Sequence, residues 1–256
     1  MNKTYIWWKF LCAMAVLNIV VWMWALAVNA ETQNFSYLQP ILSGFYVTVC
    51  AFRSFFPRID LERYCLIDTP LSSIALGRSL ATLAEICFSI QCAVLIYDLG
   101  VHLESGVITA IAWSLVPIIV IAQVCCWRAA LTLNHIWHGV EEAMWIIMVL
   151  LAAACCIAGY FLLDGWLKII MVIGIVSCLG AAYVMLFVDI PMYFRRSRQN
   201  ARHGVNYLSI GEGIRDAVKR RIPTSDWAIW KQEVVWISTY FTVGVWLSIS
   251  MIFVKF

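Results

Sequence analysis

Seven long, predominantly apolar runs decide what this chain can fold into: Ile6 to Val28, Leu38 to Phe56, Leu71 to Tyr97, Gly106 to Trp127, Gly139 to Leu163, Trp166 to Ile190 and Lys231 to Val254. Each is long enough to cross the roughly 30 Å of bilayer hydrocarbon as a helix. In hydrocarbon no water can satisfy backbone N–H and C=O groups, so only helices and closed barrels span it. The runs are long and continuous, which selects helices. A composition of 63% apolar and 13% charged residues lies far from that of a soluble domain. The expected fold is all-α, a polytopic seven-transmembrane-helix bundle forming a single transmembrane domain over residues 1–256.

Basic residues orient such a bundle, because Lys and Arg are retained on the cytoplasmic side. With the loops assigned to alternating sides, sixteen of the eighteen Lys and Arg residues fall on one side and only Lys168 and Lys255 on the other. The N-terminus is therefore expected in the cytoplasm and the C-terminus outside, in the plasma or inner membrane or an endomembrane. The Val28-Asn29-Ala30 stretch resembles a signal-peptide cleavage site, but the preceding apolar run exceeds a typical signal core, so it is read as a retained span. The ten cysteines lie in spans or, for Cys65, in a cytoplasmic connection, and read as small apolar filler rather than disulfides. The sequon Asn34-Phe35-Ser36 falls in an outward loop.

Length and polarity concentrate in the cytoplasmic connections. Asp164-Gly165 is a tight turn that makes the fifth and sixth spans an antiparallel hairpin. Between the second and third spans Pro57 ends one helix, and Asp68 or Thr69 caps the next with Pro70 in its first turn. The alternating Arg58, Asp60, Glu62 and Arg63 read as a solvated, self-paired connector in preference to a substrate-binding loop. The cytoplasmic connection over residues 191–230 carries Ile210, Ile214, Val218 and Ile222 at four-residue spacing, a basic interfacial amphipathic helix near 209–222. Arg195, Arg196, Arg198 and Arg202 would draw it to anionic headgroups. Thr224-Ser225-Asp226 provides an N-cap for the last span.

Ionisable groups inside spans are costly and therefore point to function. Arg78, Thr82, Glu85 and Ser89 share one face of the third helix. Arg78 stands two turns from Glu85, about 10 Å along the axis, so Glu85 is expected to find its partner on another helix or to be protonated. At the entrance of the fifth span His135, His138 and Glu142 fall on one face while Glu141 points elsewhere. Two imidazoles and a carboxylate in that arrangement are what a Zn or non-haem Fe site requires. Arg53, Asp68, Gln123 and Glu233 lie at similar depth as substrate-binding candidates, and Asp189 reads as a helix-end residue. The outer half is expected to be almost featureless, so the polar groups define a site opening to the cytoplasm.

No P-loop, G-x-S-x-G or H-E-x-x-H pattern occurs, and the last run has no internal lysine for a retinal Schiff base. Three roles fit the residues. The first is a membrane-embedded enzyme acting on a lipid or other apolar substrate, with Glu85, Glu141 and Arg78 as catalytic groups and His135, His138 and Glu142 holding a metal. The second is a proton-coupled carrier protonated at Glu85. The third is a non-catalytic subunit of a membrane complex, its buried charges fixing the bundle. The expected partners are membrane lipids, together with partner subunits or a second copy of the chain, and no nucleic acid.

Overall fold

The structure, a computed structural model, describes residues 2–30 and 37–256, so Asn34 and its sequon lie outside the described residues. It is 82% helical. Among the described residues six helical rods are long and apolar enough to cross a membrane, which marks a multi-pass membrane protein. They are α1 (Lys3–Ala30), α3 (Ile74–His102), α4 (Gly106–Thr132), α5 (Ile136–Leu162), a rod over Trp166–Arg202 made of α6 (Trp166–Val184) and α7 (Ile190–Arg202), and a rod over Val234–Phe253 containing α10 (Val234–Thr239) and α11 (Val245–Ser250). The seventh expected run is also helical, as α2 (Leu38–Phe55), but Gln39, Ser43, Arg53 and Ser54 leave it less apolar than the other six.

The chain resolves into two units, Met1–Gln91 with Ile214–Val254, and Cys92–Gly213 with Lys255–Phe256, the division falling inside α3 after Gln91. In the first unit Leu11, Tyr46, Val47, Trp230 and Val245 lie in the buried core. Lipid tails are as apolar as leucine, so burial alone does not hold spans together; close packing and interhelical hydrogen bonds do. Gln91 shows the second. Its side-chain amide donates to the Gln39 and Ser248 carbonyls at 3.2 and 3.3 Å, and its oxygen accepts from the Ser248 hydroxyl at 2.6 Å. The result is a buried knot of amides and hydroxyls among apolar neighbours.

The connector after α2 is not the solvated segment expected. Pro57 does end α2, but β1 (Arg58–Ile59) and β2 (Tyr64–Cys65) pair antiparallel, and β2 pairs in parallel with β3 (Ile222–Pro223). Arg63 turns the hairpin at φ +63°, donating from Nη1 to the Asp60 carbonyl at 2.6 Å and from Nε to Asp216 at 2.7 Å. Pairing with β3 brings Asp216 of α8 (Ile210–Lys219) across from the hairpin, so Arg58 and Arg63 are buried rather than solvated. Pro70 opens a separate 3-10 turn over Pro70–Ser72 and α3 starts only at Ile74; Asp68 meets Arg221 at 2.9 Å instead of capping it. The Ser209 hydroxyl and Glu212 carboxylate form a reciprocal cap at the start of α8, whose Ile210, Ile214 and Val218 stay exposed in one stripe. Asp226 caps the short α9 (Trp227–Trp230), not the last span.

In the second unit α4, α5 and α6 pack in sequence around Leu115, Ile119, Cys126, Met148, Cys155 and Met171. Gly165, at φ +64°, makes the turn that folds α6 back on α5. The helix does not stop where the sixth apolar run ends at Ile190. A π turn over Met185–Asp189, in which the Ile190 N–H reaches back to the Met185 carbonyl, carries the chain past Pro191 and the helix continues to Arg202. Proline has no N–H to give the preceding turn, and a widened turn accommodates that loss without a break. Asp189 is thus mid-rod rather than at a helix end. All ten cysteines are free.

Candidate functional site

The residues singled out from the sequence divide between the two units. In the first unit the Arg78 Nη2 lies 2.6 Å from Glu85 Oε1, with both side chains buried. The expected partner on another helix is therefore replaced by one on the same helix. Seven residues are almost two full turns, so the two side chains share a face and lie along the axis toward each other. Beside them Tyr46 and Tyr240 bring their rings within 5.8 Å, and Tyr240 feels the charges of Glu85, Arg53 and Arg78. Arg53 sits 5.5 Å over the Phe241 ring. Ser89, one turn beyond Glu85, buries a hydroxyl with no hydrogen-bond partner among the described residues.

Arg58 belongs with this group. Its guanidinium is fully buried against Gly77, where a Cβ would fall 1.3 Å from Cζ, so only glycine leaves room for it. Burial and the neighbouring Arg53 and Arg78 charges pull it down to about 10, with Asp60 opposing, so it stays protonated at neutral pH.

In the second unit α4 contributes Cys126, α5 contributes His138 and Glu141, and α7 contributes Tyr193. His138 Nδ1 is 2.6 Å from Glu141 Oε2 and 4.0 Å from Cys126 Sγ, and the three donor atoms lie within 4.8 Å of one another, all buried. Glu141 does not point away from His138 as expected: residues three apart on a helix are only about 60° apart in projection, within reach of an imidazole and a carboxylate. The Tyr193 ring stacks on His138 at 5.0 Å and on His135 at 6.3 Å. His135 is pushed down to about 4, first by burial and then by Arg196 and His138, and its Nδ1 has no hydrogen-bond partner among the described residues. Asp189 Oδ2, from the π turn, is likewise buried without one. Glu142 is buried and its charge acts on Tyr193.

Gln123 is buried on α4 close before Cys126, Asp68 is taken up by Arg221, and Glu233 stands at the N-cap of α10. Sequence reasoning missed Cys126, Tyr193, Arg58 and Gly77. Cys126 resembles any small apolar filler, Tyr193 lies in what reads as a surface connection, and Arg58 sits among charges that read as self-paired. Only Cys126 carried a usable signal, a thiol in a span that also holds Gln123.

The donor set of Cys126, His138 and Glu141 fits a metal such as zinc: one thiolate, one imidazole and one carboxylate, with a fourth position left for water. No protein-family model matches the chain, and neither a curated protein nor a solved structure does.

Proposed function

We propose that the chain is a seven-span membrane protein with a cytoplasmic N-terminus, and that it is a membrane-embedded enzyme acting on a lipid or other apolar substrate at the Cys126, His138 and Glu141 group. The single observation that carries this reading is the convergence of those three buried donors within 4.8 Å, between helices apolar enough to cross a membrane. Buried ionisable groups in spans are expensive and are kept where they do chemistry. Zinc or non-haem iron, when bound, would supply a Lewis acid and an activated water. The protein's own groups orient and shield: Tyr193 covers the face of the His138 ring, and Glu142 and Asp189 keep carboxylates in the same buried region for proton transfer.

A carrier protonated at Glu85 is less favoured, because Glu85 is engaged by Arg78 at 2.6 Å. The test is metal analysis of protein purified without an affinity tag that binds metal. About one zinc or iron per chain is expected, lost in Cys126→Ser and in His138→Ala but kept in Glu85→Gln. Metal-free wild type from metal-replete cells would remove the metal from the reading. Metal that survives both ligand substitutions would place it elsewhere.

A further inference from the structure

Along α8 three rows of side chains run side by side, each at four-residue spacing. Gly213 and Ala217 form one, Ile210, Ile214 and Val218 the next, and Arg215 and Lys219 the third. A helix on a protein surface ordinarily buries its apolar row. Here the order is reversed. Gly213 and Ala217 are buried, while Ile210, Ile214 and Val218 are 57%, 51% and 48% exposed. Gly213 fixes the reversal: a Cβ there would fall 2.1 Å from the Leu131 carbonyl oxygen, and only a row of small residues lets the backbone of α8 come that close to the end of α4. The apolar row is thereby held outward.

The depth of that row follows from α4. The Leu208 N–H donates at 3.2 Å to the carbonyl of Thr132, the last residue of α4. The 27 residues of α4 rise about 40 Å, which puts its ends in the headgroup layers of a bilayer roughly 40–45 Å across. Arg128 lies 4.1 Å over the Trp137 ring at the same end, and indoles gather at that level. The charges of α8 are sorted to match. Glu212 accepts from Ser209 and Asp216 from Arg63 at 2.7 Å, whereas Arg215 and Lys219 are exposed and border the apolar row on the side away from the buried one. We infer that α8 docks on the bilayer surface, with Ile210, Ile214 and Val218 entering below the headgroups of anionic phospholipids and Arg215 and Lys219 engaging their phosphates. Residue spacing alone predicts an amphipathic helix here; the fold adds which face is open and at what depth. That depth and the basic row, whose long stems lie along apolar surface while their charges reach headgroups, favour lipid over a protein partner. The inference takes from the proposed topology only the leaflet, the cytoplasmic one, and is independent of the metal-centred reading.

The test uses the full chain carrying the photoreactive substitution Ile214→p-benzoylphenylalanine. It is irradiated in the membranes of the expressing cells and again, after purification, in bilayer discs of phosphatidylcholine and phosphatidylglycerol in equal parts. Mass spectrometry identifies what the side chain has bonded. Phospholipid adducts are expected in both, with phosphatidylglycerol favoured roughly fivefold or more in the discs, the fold-change that one basic residue contributes beside an anionic surface. Arg215→Gln with Lys219→Gln should abolish that preference while lipid adducts persist. Should the position 214 variant not fold, Val218→p-benzoylphenylalanine in the same row carries the decision. Cross-links to another protein or to a second copy in place of lipid, or no adduct at all in folded protein, would overturn the docking surface. Lipid adducts without preference for phosphatidylglycerol, or with a preference that survives both substitutions, would overturn the anionic partner. None of these readouts depends on metal, so metal-free protein that still gives the lipid adducts would count against the metal-centred reading alone.

Discussion

Replacing Glu85 by glutamine removes one charge of a buried pair and leaves Arg78 in the company of Arg58 and Arg53. The pair is 2.6 Å apart and only 7% and 10% of the two side chains is exposed. At an effective dielectric of 20 the attraction is about 6 kcal/mol before desolvation of both groups is subtracted. Desolvation consumes most of that, so the net worth of the pair is small, but a lone buried charge retains the penalty without the compensation, roughly 3–5 kcal/mol. Glu85→Gln alone should therefore cost about 3–5 kcal/mol, whereas Arg78→Met with Glu85→Leu should cost under about 2 kcal/mol because no charge remains. With Arg78→Met and Glu85→Leu also measured singly, the double-mutant cycle then shows a coupling of several kcal/mol. Reversible unfolding in mixed dodecyl sulfate and maltoside micelles, followed by circular dichroism, gives the values. A Glu85→Gln cost below about 1 kcal/mol, or a double substitution as costly as the sum of the singles, would refute a buried, mutually dependent pair.

Gly213→Ala would set a Cβ 2.1 Å from the Leu131 carbonyl oxygen, a backbone atom that cannot swing aside; a cost of roughly 1–3 kcal/mol is expected, read as a lowered unfolding midpoint, and a neutral outcome would show that α8 moves freely at that point. His135, held down to about 4 against an unfolded value of about 6.5, binds its proton more readily in the unfolded chain, so its contribution to stability is complete above pH 6.5 and is lost as pH falls toward 4. His135→Gln should flatten the stability profile in that window, and an unchanged slope would show that other groups set it. Asn18 donates to the Phe241 carbonyl and accepts from the Trp246 indole, both at 2.9 Å, beside the π turn over Tyr240–Gly244. Asn18→Leu orphans a buried carbonyl at a cost of roughly 1–3 kcal/mol, while Trp246→Phe removes only a half-exposed donor and should cost about 1 kcal/mol or less; the reverse order in the unfolding titration would contradict the assignment.

Most of the helices were legible because apolar run length is a direct consequence of bilayer thickness, and Gly165 and Pro57 act through fixed backbone preferences that hold wherever they occur. The elements that were not legible depend on residues distant in the chain. The three-stranded sheet has two-residue strands, too short for any alternation to register, and its third strand comes from Ile222, far along the chain from Tyr64. The continuation of the helix through Pro191 depends on a π turn, and a widened turn has no signature in residue spacing. Proline read locally ends a helix; read with the turn before it, it does not.

The candidate sites follow the same division. Helical projection correctly put Arg78 and Glu85 on one face, but judging their separation from the axial rise alone neglected the length of the side chains, which bridge it. For Glu141 the projection misleads the other way: a 60° offset reads as separation, although an imidazole and a carboxylate span it easily. Cys126 and Tyr193 reach His138 from α4 and α7, and no spacing within α5 could have named them. Arg58 is the clearest case. In sequence it stands two residues from Asp60 and looks neutralised. In the fold its burial depends on Gly77, a residue whose contribution is the side chain it lacks.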